Sequence, residues 1–198
     1  MFKKYLLNAF VLLCSFLLPI SCSKDNDTPE HIHEEELITR VTLKIKKQGS
    51  ADAAVTYTWN DDHEEEGHSE EEEGHDEDGV HVELEANSTY EVEVGFFNAS
   101  DPADIEDITE EVKAEADEHQ VFLELIEIQG LSIVAAANDS TDSNGNPLFL
   151  KSVWTTTAVS AGEVRVYLIH EPTAKSGSTR NDFGGETDVK VDFHVDVE

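Results

Sequence analysis

Cysteine is almost missing from this chain of 198 residues: its two cysteines, Cys14 and Cys22, both lie near the N-terminus. The rest of the chain therefore has neither a disulfide framework nor a cysteine nucleophile. Past Ile20 no apolar run approaches the roughly 20 residues that a membrane-spanning helix needs. Basic residues are scarce too, with 13 Lys and Arg against 44 Asp and Glu and a net charge of −31. That imbalance excludes nucleic acid and anionic lipid headgroups as partners recognised by charge. There is no Gly-x-Ser-x-Gly elbow and no glycine-rich phosphate loop after a strand, so no catalytic residue and no organic cofactor site are assigned, and no enzyme is expected.

What is present begins with Lys3 and Lys4 ahead of an apolar run from Leu6 to Ile20. This is the pattern of a secretory signal, residues 1–21. The stretch "LLPISC" resembles a bacterial lipobox, which makes Cys22 the expected lipidation site; an ordinary cleavage site beside a chance cysteine is the alternative. Polar residues without apolar periodicity follow, so residues 22–36 read as a disordered tether. The expected location is the outer membrane, with the protein a lipoprotein that faces the periplasm or the exterior and meets the membrane only through its lipid.

Residues 37–198 read as one domain, dominated by alternation of apolar and polar residues. In "RVTLKIKK" Val41, Leu43 and Ile45 share one face; "VTYTW", "VHVELE", "YEVEVGFF", "VFLELIEI", "LSIVAAA", "LFLKSVWTTTAV", "EVRVYLIH" and "DVKVDFHVDV" repeat the pattern. Asp107 to Thr109 with two acids behind them start one short helix, running to about Asp117. Nine strands joined mostly by short turns predict antiparallel pairing, with residues 60–79 as a hairpin loop and residues 80–97 as a second hairpin. The expected fold is all-β, an immunoglobulin-like β-sandwich; a β-barrel is the alternative if the last strand pairs with the first.

The segments "DITEEVKAEADEHQVF", "DSNGNPL", "VYLIHEP" and "GGETDVKVDF" resemble small lipoproteins of Bacteroidota, often labelled type 1 periplasmic binding fold superfamily proteins. The resemblance implies export and a lipid anchor, and "SKDND" after Cys22 is similar to the signal that sends such lipoproteins to the cell exterior. The label implies two doubly wound α/β lobes around a ligand cleft, whereas the residues of this chain specify strands interrupted by one helix. No catalytic residue comes with the resemblance.

The densest chemistry lies in residues 60–79, "NDDHEEEGHSEEEEGHDEDG", with twelve acids, three histidines and no basic residue. Imidazole nitrogen interleaved with carboxylate oxygen suits zinc or another divalent transition metal. The candidate ligands are His63, His68, His75, Glu64 and Asp76, together with His81, the first polar residue beyond the loop. The plain alternative is a solvated spacer that keeps the domain soluble. His81 shares an outward face with Glu83, with Glu91 and Glu93 expected across the hairpin, and Asp192, His194 and Asp196 line the polar face of the last strand. In "STDSNG", Asp142, Asn144 and Gly145 partly match a calcium loop, but Ser140 and Lys151 stand where acids belong, so a β-turn is the preferred reading and calcium the lesser cofactor. His119 and His170 read as hydrogen-bonded core histidines.

The expected function is therefore a cell-envelope lipoprotein that captures divalent transition metal through its loop, with an outer-membrane transporter as a possible partner. The competing expectation is a non-enzymatic binding or structural module for a protein or glycan. In that case Trp154, Tyr167 and Phe183 would form an exposed aromatic surface.

Overall fold

The computed structural model describes residues 36–61 and 79–198. Two sheets are built from ten strands: β1 (Arg40–Lys47), β2 (Val55–Asn60), β3 (Val80–Leu84), β4 (Thr89–Asn98), β5 (Glu106–Asp107), β6 (His119–Ile126), β7 (Leu131–Ala135), β8 (Lys151–Thr156), β9 (Ser160–His170) and β10 (Glu186–Val197). The first sheet runs β2-β1-β4-β8-β7, with the two-residue β5 added to β4; the second runs β3-β10-β9-β6. The tenth strand is β5, too short to leave an alternation in the sequence.

Alternation decides which side of each strand is buried. Val41 and Leu43 of β1 lie opposite Phe96 and Val94 of β4, while Val166 and Val164 of β9 lie opposite Val191 and Phe193 of β10. These side chains meet in one core that also takes Trp154, Val82 and Leu168, all fully buried. Burying an aliphatic or aromatic side chain of this size stabilises by about 1.5–3 kcal/mol relative to leaving it exposed, and this shared core joins the sheets into a β-sandwich. The last strand does not pair with the first: β1 pairs with β2 and β4, so the sheet is not closed into a barrel. This all-β architecture departs from the α/β lobes that the lipoprotein label implies.

Strand partners depart from the expectation in two places. β2 and β3 do not form a hairpin around the acidic stretch: β2 pairs with β1 in the first sheet, whereas β3 pairs with β10 in the second, and pairs in parallel. Residues 80–97 are not a hairpin either, because the chain changes sheets between β3 and β4. That corner is held by Tyr90 Oη, which accepts from Glu85 N at 2.7 Å, and by Thr156 Oγ1, which donates to Glu85 O at 2.6 Å. Asn87 takes up the turn at φ 54°. β6 and β7, adjacent in sequence, also lie in different sheets. Alternation fixes the buried face of a strand but says nothing about its neighbour, so these corners read as hairpins in the sequence.

Helix α1 (Ile108–Ala114) starts as expected at Asp107, whose side chain accepts from Thr109 N, and ends a few residues early with Glu115 as its C-cap. Ile108 and Val112 enter the core. Thr109 Oγ1 accepts from Phe96 N at 2.9 Å and donates to Phe96 O at 3.1 Å, which docks the helix on β4. A second short helix, α2 (Arg180–Phe183), lays Phe183 against Tyr167, Ile169 and Phe122 in a separate small cluster. Among the described residues no helix is long and apolar enough to cross a membrane.

Candidate metal centre

Four polar side chains from distant parts of the chain converge. His119, the first residue of β6, is paired directly with His170, the last residue of β9. Their rings lie 5.0 Å apart, inclined by 36°. Glu36, just ahead of β1, and Asp188 of β10 complete the group, and one donor atom from each of the four lies within 4.8 Å of the others. Side-chain exposure is 0% for His119, 7% for Glu36, 10% for His170 and 4% for Asp188.

Local sequence explains how each arrives. His170 continues the face of Val164, Val166 and Leu168, so the alternation that builds the core also carries an imidazole inward at the end of β9. Asp188 is delivered by a β-bulge: Thr187 lies opposite Ile169 and Val189 opposite Leu168, leaving Asp188 as the extra residue. A bulge re-aims one side chain at little cost to its neighbours. Glu171 follows His170 at φ 46°, and Gly184 and Gly185 precede β10 at φ 64° and 62°. A Cβ on Gly185 would stand 2.2 Å from His170 O, so only glycine lets the two segments approach. Backbone irregularity thus gathers around the group, as it does at sites where geometry is over-determined. Glu36, expected at the end of the tether, is instead packed into the domain.

His119 Nδ1 lies 3.3 Å from Glu115 O. A carbonyl only accepts, so this contact places a ring proton on Nδ1 and leaves Nε2 to face Glu36, as a lone pair in the neutral ring or as a second N–H in the imidazolium. Nε2 stands 2.9 Å from Glu36 Oε1, without the alignment of a hydrogen bond. A nitrogen and a carboxylate oxygen at this distance share a proton or a cation between them. A backbone carbonyl that fixes the tautomer behind a metal-binding nitrogen is the usual support of a histidine ligand. On the other ring, His170 Nδ1 is 3.7 Å from Asp188 Oδ1.

Electrostatics favour charge separation. Burial pulls His119 down, but the contact with Glu36, the Glu36 charge, the Glu115 carbonyl and Asp188 together outweigh it and raise its pKa. Burial pushes Glu36 up, yet the His119 contact and the charges of His119 and His170 hold its carboxyl below the usual range. Two imidazoles and two carboxylates are the donor set of a zinc-like ion. Donors at about 2.0–2.1 Å from a tetrahedral ion are roughly 3.4 Å from one another, so binding draws the four side chains inward.

The ligands expected from the acidic stretch, His63, His68, His75, Glu64 and Asp76, lie outside the described residues. His81 is half-exposed on β3. Its expected partners Glu91 and Glu93 sit in the other sheet, where Glu93 pairs with Lys44 at 3.2 Å. The parallel β3–β10 pairing supplies different partners: His81 lies opposite His194 and Glu83 opposite Asp196. The two rings stack at 5.1 Å, His81 Nδ1 is 3.3 Å from Asp196 Oδ2, and His194 Nδ1 is 3.7 Å from Glu163 Oε1. Two candidates read as separate in the sequence are therefore one row on an open sheet face. Asp192 is drawn away by Arg165, which grips both its oxygens.

In the turn, the Asp142 carboxylate accepts from Asn144 N, Asn146 N and Asn146 Nδ2. Its oxygens serve the turn, as the β-turn reading expects. The sequence does reveal that His119 and His170 face the core, but not that they meet each other. Glu36, inside "EEEL", and Asp188, inside "ETDVKV", carry no local signal at all.

Comparison with protein-family models, with curated proteins and with solved structures finds no match for this chain.

Proposed function

We propose that this protein binds a divalent transition metal, zinc-like in its preferences, at Glu36, His119, His170 and Asp188, and that it does so as a lipid-anchored protein of the cell envelope. The observation that carries the reading is the buried His119 Nε2 facing Glu36 Oε1 at 2.9 Å, with a second imidazole and carboxylate close enough to share one ion. Desolvation makes such a site tight, because a bound cation replaces repulsion between acceptors that have little access to water. Anchorage rests on the apolar run and lipobox-like residues before Cys22. The acidic stretch becomes a collector: its carboxylates raise the local concentration of cations, and its histidines hold metal loosely. An outer-membrane transporter is the partner this role implies.

The module reading asks for an exposed aromatic surface. Trp154, Tyr167 and Phe183 are instead buried, at 0%, 7% and 4% exposure, so that reading loses its anchor residues.

The test is a calorimetric zinc titration of the full chain beside His119→Gln, Asp188→Asn and a loop variant with His63, His68 and His75 changed to Ala. One tight zinc is expected to survive in the loop variant and to weaken at least a hundredfold in His119→Gln and tenfold in Asp188→Asn. Tight binding that vanishes with the loop histidines and ignores both buried substitutions would move the site to the loop. Circular dichroism of each variant separates lost binding from lost folding.

A further inference from the structure

Glu36 belongs to two donor groups. Besides the four-residue group, its carboxylate lies with those of Glu111 and Glu115, one oxygen of each within 4.8 Å of the others. Glu111 is in α1 and Glu115 is its C-cap, one turn apart and therefore on the same face. Lys113, the base between them in sequence, is engaged with Glu110 at 2.7 Å. The independent observation is on Glu36 itself: while Oε1 faces His119, its other oxygen, Oε2, is buried and has no hydrogen-bond partner. A carboxylate that belongs to both donor groups, with Oε1 against His119 and Oε2 buried without a hydrogen-bond partner, is placed to bridge them.

We infer that Glu36 bridges two cations: the zinc-like ion of the buried site and a second, harder divalent ion held between Glu36, Glu111 and Glu115. This rests on the metal-binding reading above. The second set is all oxygen, and its Glu111 and Glu115 members are solvent-exposed, so water fills the remaining positions. Oxygen donors with bound water suit ions of the manganese, magnesium or calcium kind rather than a soft metal. The outer ion also occupies the solvent side of Glu36.

The probe is manganese(II). The full chain carrying the loop histidine-to-Ala changes is loaded with one equivalent of zinc and titrated with manganese, reading the loss of the free-ion electron paramagnetic resonance signal. One manganese is expected to bind, and Glu111→Gln with Glu115→Gln together are expected to weaken it at least tenfold while changing zinc affinity by less than threefold. Copper(II) in place of zinc then tests the bridge, since ions sharing one carboxylate lie about 3.5–4 Å apart and their spins couple. Manganese binding that ignores the double substitution, or uncoupled copper and manganese signals, would overturn the bridge and leave the zinc site standing. Zinc binding that ignores His119→Gln would instead remove the reading on which the bridge rests.

Discussion

The second sheet carries two pairs of neighbouring histidine rings, one stacked and one tilted, that are nearly the same in outline. His119 and His170 lie opposite each other across β6 and β9 with rings 5.0 Å apart; His81 and His194 lie opposite each other across β3 and β10 with rings 5.1 Å apart. In both pairs each ring has a carboxylate within 4 Å. What differs is solvent. The His119 and His170 side chains are 0% and 10% exposed, those of His81 and His194 52% and 36%. Exposed ion pairs are screened and contribute little, whereas a buried charge that loses its partner is left uncompensated. Donor type alone therefore does not define a site; the surroundings decide what the donors are worth.

The largest break in that comparison comes from truncating one member of each pair. In metal-free protein, His119→Ala leaves the Glu36 carboxylate buried alone and is expected to cost about 3 kcal/mol, while His81→Ala is expected to cost less than about 1 kcal/mol. Urea unfolding in the presence of a chelator measures both, and equal losses would show that burial does not separate the pairs.

A smaller difference is expected at the glycines beside them. Gly185→Ala places a Cβ 2.2 Å from the backbone oxygen of His170 at φ 62°, and Gly79→Ala places one 3.1 Å from the movable ring of His194 at φ 65°. Both pay the left-handed cost of about 1 kcal/mol, but only the first meets rigid backbone, so it is expected to lose a further ~1–2 kcal/mol and to weaken zinc binding. Thermal melts with and without zinc read both effects.

The smallest expected effect sharpens the exposed side alone. Asp192 sits on the same strand as His194, and the hydrogen bonds from Arg165 hold its carboxyl below the usual range despite partial burial. A depressed carboxylate stabilises the fold above its unfolded pKa of about 3.9 and loses that contribution as pH falls through the lower folded value. The wild type is therefore expected to shed up to about 1 kcal/mol relative to Asp192→Asn as pH drops from 5 to 2. Parallel pH profiles of the two unfolding midpoints would show that the ion pair contributes nothing.

Much of this architecture is readable from residues. Val41, Leu43 and Ile45 announce their buried face by simple alternation, and Asp107 announces the start of α1 by its capping side chain. The partners of β3 are not readable, because Val80, Val82 and Leu84 fit a hairpin with β4 as well as they fit a parallel ladder with β10. Trp154, which the module expectation puts on an exposed aromatic surface, is buried on the same inner side of β8 as Ser152 and Thr156. The candidate centre was half legible: His170 sits at the end of an apolar series, but Asp188 depends on a bulge with no mark in the sequence, and Glu36 depends on where the chain begins its first strand. Contacts between residues 36, 119, 170 and 188 are products of topology, and topology is what local pattern does not encode.

The place of β10 has a consequence for how the molecule comes into being. It lies between β3 and β9, and Val80 of β3 finds its partner only at Phe193. A ribosome delivers residues in order, so β3 waits, edge unpaired, for more than a hundred residues until the final strand is made. The second sheet is therefore completed only by closing a loop of more than a hundred residues, the kind of long-range pairing that forms slowly.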